Sequence, residues 1–381
     1  MKYRSFGKLN WSASVLGFGA MRFPVLGGDY AKIDEAQAID MLRYAIDNGV
    51  NYVDTAYAYH MGNSETVVGK ALRGSYREKV RVATKMPCWL IDSQEDMDKY
   101  LSEQLAKLGI GKLDFYLLHG LTKERWEKLS KLNVLSWAER KMDEGVFDYL
   151  GFSFHDSFPV LKRILDSYDN WTLCQILYNY MDANYEAGTK GLEYASSKKI
   201  AVIVMEPIAG GRLAMPSSDE IQAVWNKAKI MRTPAAWALL WVWNHPKVTV
   251  ALSGMNTMAQ VKENLETANI AEPGILSKEE LRLYKEVASK YRRLGFVRCS
   301  ACKYCQPCPN GVDVPTIISF YNEYFMKNRS EAVKEEYRKK VKLESWAKNC
   351  KKCGKCEELC PQHLPIRQII SNSSFIFEQD G

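Results

Sequence analysis

The run Val15-Leu16-Gly17-Phe18-Gly19-Ala20-Met21-Arg22 begins as a buried strand and ends in Gly-x-Gly. Two folds start this way. A doubly wound dinucleotide-binding sheet carries Gly-x-Gly-x-x-Gly after its first strand, the last glycine letting strand and helix pack closely. Here that third position is Arg22. The competing fold is a closed barrel of eight strand–helix cycles, which typically needs about 250 residues. The following sequence supplies the cycles. Short apolar runs at 15–19, 51–54, 80–85, 113–119, 149–153, 173–178, 201–205 and 249–253 are rich in Val, Ile, Leu, Phe and Tyr. Strands buried on both faces have that composition.

Between the runs lie amphipathic segments. Residues 33–48 place Ile33, Ala36, Ile39, Ala45 and Ile46 near one face and stop before Gly49, a good C-terminal signal. Residues 94–108 follow Ser93, with Asp96 three positions later, and stop at Gly109, as a capped helix should. Further helices are expected at 65–72, 123–143, 158–165, 188–197, 234–243 and 258–267. Residues 2–4 and 10–13 can pair as a hairpin ahead of the first barrel strand. The expectation is a (βα)8 TIM barrel over 1–275, a linker helix over 276–295, opened by the capping box Ser277–Glu280, and a smaller, mainly helical domain over 296–381, with helices near 314–328 and 330–342.

The chain has 381 residues, 46% apolar and 25% charged. This is an ordinary globular composition and excludes disordered, collagenous and coiled-coil chains. No apolar run approaches the roughly 20 residues of a membrane helix, and the first residues lack the apolar core of a signal peptide. A cytoplasmic protein is expected, with no membrane partner. The net charge of +7, from 52 basic and 45 acidic side chains, does not argue for nucleic acid. The lysines at 339–342 and 351–352 read as solvated faces or compensation for local negative charge.

Eight of the ten cysteines fall within 62 residues. In a reducing compartment such clustering points to metal. The second run, Cys350-x2-Cys353-x2-Cys356-x3-Cys360-Pro361, has the spacing of bacterial [4Fe–4S] ferredoxins. The first, Cys299-x2-Cys302-x2-Cys305-x2-Cys308-Pro309, is one residue shorter before its last cysteine. The fourth cysteine of such a run usually reaches the other cluster. Two clusters are therefore expected: Cys299, Cys302 and Cys305 with Cys360, and Cys350, Cys353 and Cys356 with Cys308. A pair of zinc sites is the rival, but zinc usually takes two knuckles separated by a spacer. Cys88 and Cys174 read as ordinary barrel residues.

Barrel active sites lie at the C-terminal ends of the strands. Asp54, Lys85 and His119 end three successive predicted strands, and Tyr59 follows Asp54 closely. Singly, each has a structural reading; together they can converge at one mouth. A phenol with a pKa of about 10 is a poor acid at neutral pH. A lysine ammonium beside it stabilises the phenolate, and a carboxylate holds the lysine.

Residues 54–59 and 62–65, with Thr84-Lys85 and Leu117-Leu118-His119, resemble the aldo-keto reductase family. The resemblance covers roughly residues 1–270 and continues at 151–153, 175–179, 206–211 and 260–264. It implies a catalytic tetrad of Asp54, Tyr59, Lys85 and His119, with Tyr59 as general acid in carbonyl reduction and general base in alcohol oxidation. His119 would orient the substrate oxygen. The resemblance also implies a nicotinamide cofactor, NADP or NAD, held by Gly19, Ala20, Met21, Asp54, Ser153, His155, Gln175, Met205, Pro207, Ile208, Gly210, Ser253, Gly254, Met255, Asn256, Gln260, Glu263 and Asn264. Three positions depart from the family. Met205 or Glu206 stands where an aromatic ring commonly stacks on the nicotinamide. Ser253-Gly254-Met255-Asn256-Thr257 and Gln260, after the last strand, supply no basic side chain to read a 2′-phosphate, and Phe154 replaces a common Asn. The C-terminal region resembles a helical dicluster ferredoxin domain, so the whole chain is similar to the ferredoxin-bearing branch of the family. The expected partners are a small carbonyl or alcohol and a ferredoxin or flavoprotein exchanging electrons with the clusters. The second domain could equally be structural or sense redox state. A non-catalytic redox-sensing or scaffold protein, binding a partner through its iron–sulfur domain, is the alternative that the intact tetrad argues against.

Overall fold

The computed structural model describes residues 1–215 and 218–379. Positions 216–217 of the expected barrel and 380–381 of the expected C-terminal domain lie outside the described residues. Ten strands form. β1 (Tyr3–Ser5) and β2 (Ser12–Ser14) make an antiparallel hairpin. β3 (Leu16–Gly19), β4 (Tyr52–Asp54), β5 (Arg81–Met86), β6 (Leu113–Leu121), β7 (Phe147–Phe154), β8 (Leu173–Leu177), β9 (Ala201–Met205) and β10 (Val250–Ser253) close into a barrel, with β10 pairing β3. Every barrel pair is parallel, so all eight C-terminal ends open on one face.

Gly17 explains why the opening run carries glycine without being a phosphate loop. A Cβ there would lie 2.7 Å from Leu252 Cδ2 and 2.8 Å from Val250 Cγ1. The residue is small because side chains of β10 fill the space beside it. The barrel's N-terminal end is filled by Phe6, Tyr52, Phe115, Leu117, Leu173, Ile203 and Val250, all buried. Trp11 packs on them beside Phe6, and the Arg81 guanidinium lies 4.5 Å from its ring centre. Arg4 of the hairpin donates to the carbonyls of His245 and Val248. Burial lowers Arg4 to about 10.

The segment read as one helix over 123–143 is two, Lys123–Lys131 and Val134–Asp143. Asn133 adopts a left-handed conformation (φ 54°) between them, which asparagine tolerates better than most residues.

The chain divides into two compact units, Met1–Pro207 with Ala238–Ile275, and Ile208–Trp237 with Leu276–Gly381. Segment 208–237, read from the sequence within the first 275 residues, thus groups with the second unit. Its helix Asp219–Trp225 packs on helix Lys278–Arg293, where the Trp225 ring stacks on Trp237 at 4.7 Å and meets Tyr284 edge-on. The rest of that unit is mainly helical, with Val314–Met326, Glu331–Lys340 and Ile366–Phe377 around a core of Ile317, Ile318, Val333, Tyr337, Ile370 and Phe377.

Candidate active site and cysteine loops

The four tetrad candidates meet at the barrel's C-terminal face. Asp54 is the last residue of β4, Lys85 the penultimate residue of β5, and His119 lies near the end of β6. Tyr59 opens a tight turn, Tyr59–Gly62, in which His60 (φ 52°) and Met61 (φ 55°) are both left-handed. Lys85 Nζ donates to Asp54 Oδ1 at 2.5 Å, to the Thr55 carbonyl at 2.8 Å and to Tyr59 Oη at 3.2 Å. Its three protons therefore each have an acceptor, and one is the phenol oxygen. Asp54 and Lys85 are each 1% exposed. Burial lowers the lysine, and Asp54, with a smaller contribution from Glu65, draws it back up. Burial likewise raises the Asp54 carboxyl against the pull of Lys85.

The His119 ring meets Tyr59 edge-on at 6.0 Å. Burial, and then the charges of Lys85, Arg125 and His155, hold its pKa well below the ordinary value. His119 is therefore a neutral imidazole at pH 7, able to offer one N–H. An irregularity in β6 between Leu118 and Leu121 aims this segment. There the His119 N–H donates to Cys88 Sγ at 3.1 Å, and the Gly120 N–H to Ser153 Oγ at 2.7 Å.

Beneath the tetrad runs a network that sequence reading missed. Glu65 Oε1 accepts from Thr84 Oγ1 at 2.6 Å and from Gln104 Nε2 at 2.7 Å. Gln104 also donates to the Lys85 carbonyl at 3.0 Å, and Tyr116 Oη donates to Gln104 Oε1 at 2.8 Å. The network fixes the Thr84–Lys85 backbone, and so the root of the lysine. Glu65 lies in the family-like segment 62–65, whereas no sequence pattern points to Gln104. A second missed residue is Glu186, whose buried carboxylate lies 3.3 Å from His155 Nδ1. Burial alone would lower His155, but the charge and hydrogen bond of Glu186, with Glu206, raise it overall.

The expected cofactor residues of the barrel unit cluster at the C-terminal ends of its strands. Gly19 ends β3, and Ala20 and Met21 form the next turn. Ser153 and His155 lie at the end of β7, Gln175 within β8, Met205 at the end of β9, with Pro207 just beyond, and Ser253 at the end of β10. Gly254, Met255 and Asn256 lead into helix Met258–Asn269, which carries Gln260, Glu263 and Asn264. Gln260 Oε1 accepts from the Asn256 N–H at 2.8 Å, and Asn264 donates to Ser253 Oγ at 2.9 Å. Ile208 and Gly210 belong to the second unit. A nicotinamide carboxamide fits this donor set. Gln175 Oε1 is buried without a hydrogen-bond partner among the described residues, and a ligand amide N–H would satisfy it.

In the second unit, Cys299, Cys302, Cys305 and Cys360 line one cavity, otherwise walled mainly by apolar residues such as Val314, Ile318, Leu364 and Ile366. Cys308, Cys350 and Cys356 pack on the same apolar core. The two cysteine loops repeat one backbone pattern. The Ala301 N–H donates to Cys299 Sγ and the Lys352 N–H to Cys350 Sγ, each at 3.4 Å. Ala301 (φ 50°) and Lys352 (φ 55°) are left-handed, as are Lys303 (φ 65°) and Gly354 (φ 84°) two residues later. Four thiols around one largely apolar cavity, with amides aimed at sulfur, suit an iron–sulfur cube. Among the described residues, no three His, Cys, Asp or Glu side chains gather closely enough to hold a single metal ion.

The aldo/keto reductase family profile matches residues 15–288. The chain belongs to the aldo/keto reductase family. It is an oxidoreductase of that type, and the family's eight-stranded barrel is the one described above. A 4Fe–4S dicluster domain profile matches residues 298–364, beyond the barrel. Similar proteins include the NADH-specific methylglyoxal reductase of Escherichia coli, 26% identical over 345 residues, covering 77% of this chain and all of that protein. The 6-dehydroglucose reductase of Novosphingobium aromaticivorans is 24% identical over 70% of this chain and 90% of its own length. Among solved structures, a holo-form aldo-keto reductase from Bacillus halodurans aligns with a TM-score of 0.63 and 26% identity, over 75% of this chain and 96% of that one. A Klebsiella pneumoniae aldo-keto reductase in complex with NADPH aligns with a TM-score of 0.60 and 25% identity, over 76% and 96%. Among the described residues, no helix is long and apolar enough to cross a membrane.

Proposed function

We propose that this chain reduces a small carbonyl compound with NADPH or NADH, or oxidises the corresponding alcohol, and that Tyr59 is the proton donor. The reading rests on the three-way bond of Lys85 Nζ to Asp54, Thr55 and Tyr59. A nicotinamide held by these residues would supply the hydride. Tyr59 gives its phenolic proton to the carbonyl oxygen as charge develops there. Lys85, 3.2 Å from Tyr59 Oη, stabilises the phenolate left behind. Asp54 keeps the lysine charged in a site from which water is excluded. Neutral His119 donates a hydrogen bond to the same substrate oxygen and fixes its direction. Ser153, His155 and Gln175 hold the carboxamide, and the turn after β3 together with the segment 253–264 holds the rest of the cofactor.

The C-terminal domain carries two [4Fe–4S] clusters with exchanged fourth ligands, and a ferredoxin or flavoprotein exchanges electrons with them. The lining of one cavity by Cys299, Cys302, Cys305 and Cys360 supports this exchange. The chain functions in the cytoplasm, where its thiols stay reduced. Anaerobic titration of cluster-replete protein with NADPH and NADH, with and without a test aldehyde such as methylglyoxal, tests the reading. Aldehyde-dependent cofactor consumption is expected. Cofactor that is never consumed, across a panel of aldehydes and ketones, would overturn it.

A further inference from the structure

We propose that the second cysteine loop is the docking surface for an acidic one-electron carrier protein, and that electrons cross at Cys353. The inference rests on the reading that this loop carries a cluster. Of the ten cysteines, only Cys353 is exposed. Lys348, Lys351, Lys352 and Lys355 surround it in sequence, and all four are exposed.

These four exposed lysines lie within eight residues of one another and hold no ion pair among the described residues, although Lys348 Nζ lies 4.6 Å from the Trp346 ring centre. Elsewhere in the same unit, Lys327, Lys334, Lys339 and Lys340 each pair with a glutamate three or four residues away. Arg367 pairs with Glu357 at 2.8 Å. None of the four loop lysines forms an ion pair among the described residues. Ammonium groups needed only to offset cluster charge would be expected around both cysteine loops. Yet beside the first loop, which repeats the same backbone pattern, the basic side chains are Arg298 and Lys303, both half-buried, and its four cysteines are half-buried too, whereas the second loop sets its exposed lysines against Glu357, which Arg367 pairs, and exposed Glu358. The two loops therefore differ in the exposure of a cysteine and in the exposure of their basic side chains, and both differences favour the second as the exchange terminal.

Leu359, 53% exposed, adds an apolar contact on the same loop. An apolar patch with a charged rim is the usual anatomy of a transient interface. Unpaired charge steers an oppositely charged partner and accelerates encounter. The step moves one electron: the reduced carrier is oxidised, the cluster core gains the electron, and no bond forms or breaks.

The test uses the full chain, loaded with iron and sulfide and kept anaerobic. The probe is a reduced, strongly acidic plant-type [2Fe–2S] ferredoxin. Binding is followed by calorimetry and electron transfer by stopped-flow bleaching of the clusters. Lys351→Glu with Lys352→Glu should weaken binding at least tenfold and slow transfer similarly at low salt. Reversing Lys339 and Lys340 on helix Glu331–Lys340 should change either by less than twofold. The difference should vanish near 0.5 M NaCl, where the screening length is only about 4 Å. If the reversed protein loses iron, the double glutamine variant takes its place, with a smaller effect in the same direction. Unchanged ferredoxin binding in iron-replete loop variants would overturn the proposal. So would equal affinity for basic cytochrome c, or binding of a DNA duplex at these lysines without response to ferredoxin. Clusters that no donor reduces, dithionite included, would overturn the electron-transfer reading itself, whereas reduction by ferredoxin regardless of the lysines would overturn only the docking surface.

Discussion

Replacing Asp54 by Asn isolates the charge that supports Lys85. The side chain keeps its shape and an acceptor oxygen, so the 2.5 Å hydrogen bond can persist. The negative charge is lost. Lys85 is 1% exposed, and breaking a buried pair by removing one partner typically costs about 3–5 kcal/mol. The lysine can limit that cost by shedding its proton, because burial already lowers it. The penalty therefore depends on pH, and its sign can be worked out. A lysine lowered in the folded state binds its proton less tightly than in the unfolded chain. Its destabilising contribution is fully present below the folded value, where both states hold the proton. It is relieved as pH rises toward the unfolded value of about 10.4. The melting temperature of Asp54→Asn should fall below wild type by roughly 5–10 °C at pH 7. The gap should narrow steadily to pH 9.5. Turnover should drop about 10²–10⁴-fold, the range for losing a general acid, because a neutral lysine no longer supports the Tyr59 phenolate. Melting by circular dichroism at several pH values, beside steady-state rates, measures both. A gap that stays constant from pH 7 to 9.5 would refute the argument that Asp54 holds a buried charge.

Glu65→Gln keeps an acceptor for Thr84 and Gln104 but removes a charge that helps keep Lys85 protonated; kcat should fall several-fold with KM little changed, and an equal fall in Glu65→Gln and Glu65→Leu would contradict an electrostatic part in its role. His155 is raised by Glu186, so the pair's stabilisation is present below pH 6.5 and lost as pH climbs through the folded value. Glu186→Gln should accordingly lower the melting temperature at pH 6 more than at pH 9. Gln175→Leu removes the buried acceptor assigned to the carboxamide and should weaken NADPH or NADH binding about tenfold, read from quenching of tryptophan fluorescence. Cys360→Ala should lower the iron content and destabilise the region around Cys299, Cys302 and Cys305, read by iron analysis and by proteolysis; damage confined to the 350–356 loop would contradict the exchanged ligation.

The barrel was legible because strands buried on both faces announce themselves as apolar runs. Ala201–Met205 matches its expected span, and the other seven strands differ by one or two residues at one or both ends. The helix break at Asn133 was not legible, because neither Gly nor Pro marks it. The short helix Asp219–Trp225 and the helix Ile366–Phe377 were missed for a related reason: each is held by tertiary contacts, Trp225 against Trp237 and Tyr284, and Phe377 stacked on Tyr337 at 4.6 Å. Asp54, Lys85 and His119 could be found from strand-end position alone. The place of Tyr59 depends on left-handed turns at His60 and Met61, which no pattern predicts. The Glu65–Gln104 bond joins residues 39 positions apart, and such pairs emerge only once the barrel closes. Spacing named the cysteines proposed as ligands, but it did not reveal that one loop exposes a cysteine and its lysines while the other is half-buried.

The most direct measurement is single-turnover reduction of methylglyoxal by NADPH-loaded and NADH-loaded protein, comparing wild type with Tyr59→Phe under anaerobic conditions. Phenylalanine removes the proton donor without changing the ring that packs beside His119. The account predicts that whichever cofactor binds wild type binds the variant with unchanged affinity, and that the variant consumes none of it on the wild-type timescale. Consumption by Tyr59→Phe at close to the wild-type rate would contradict it.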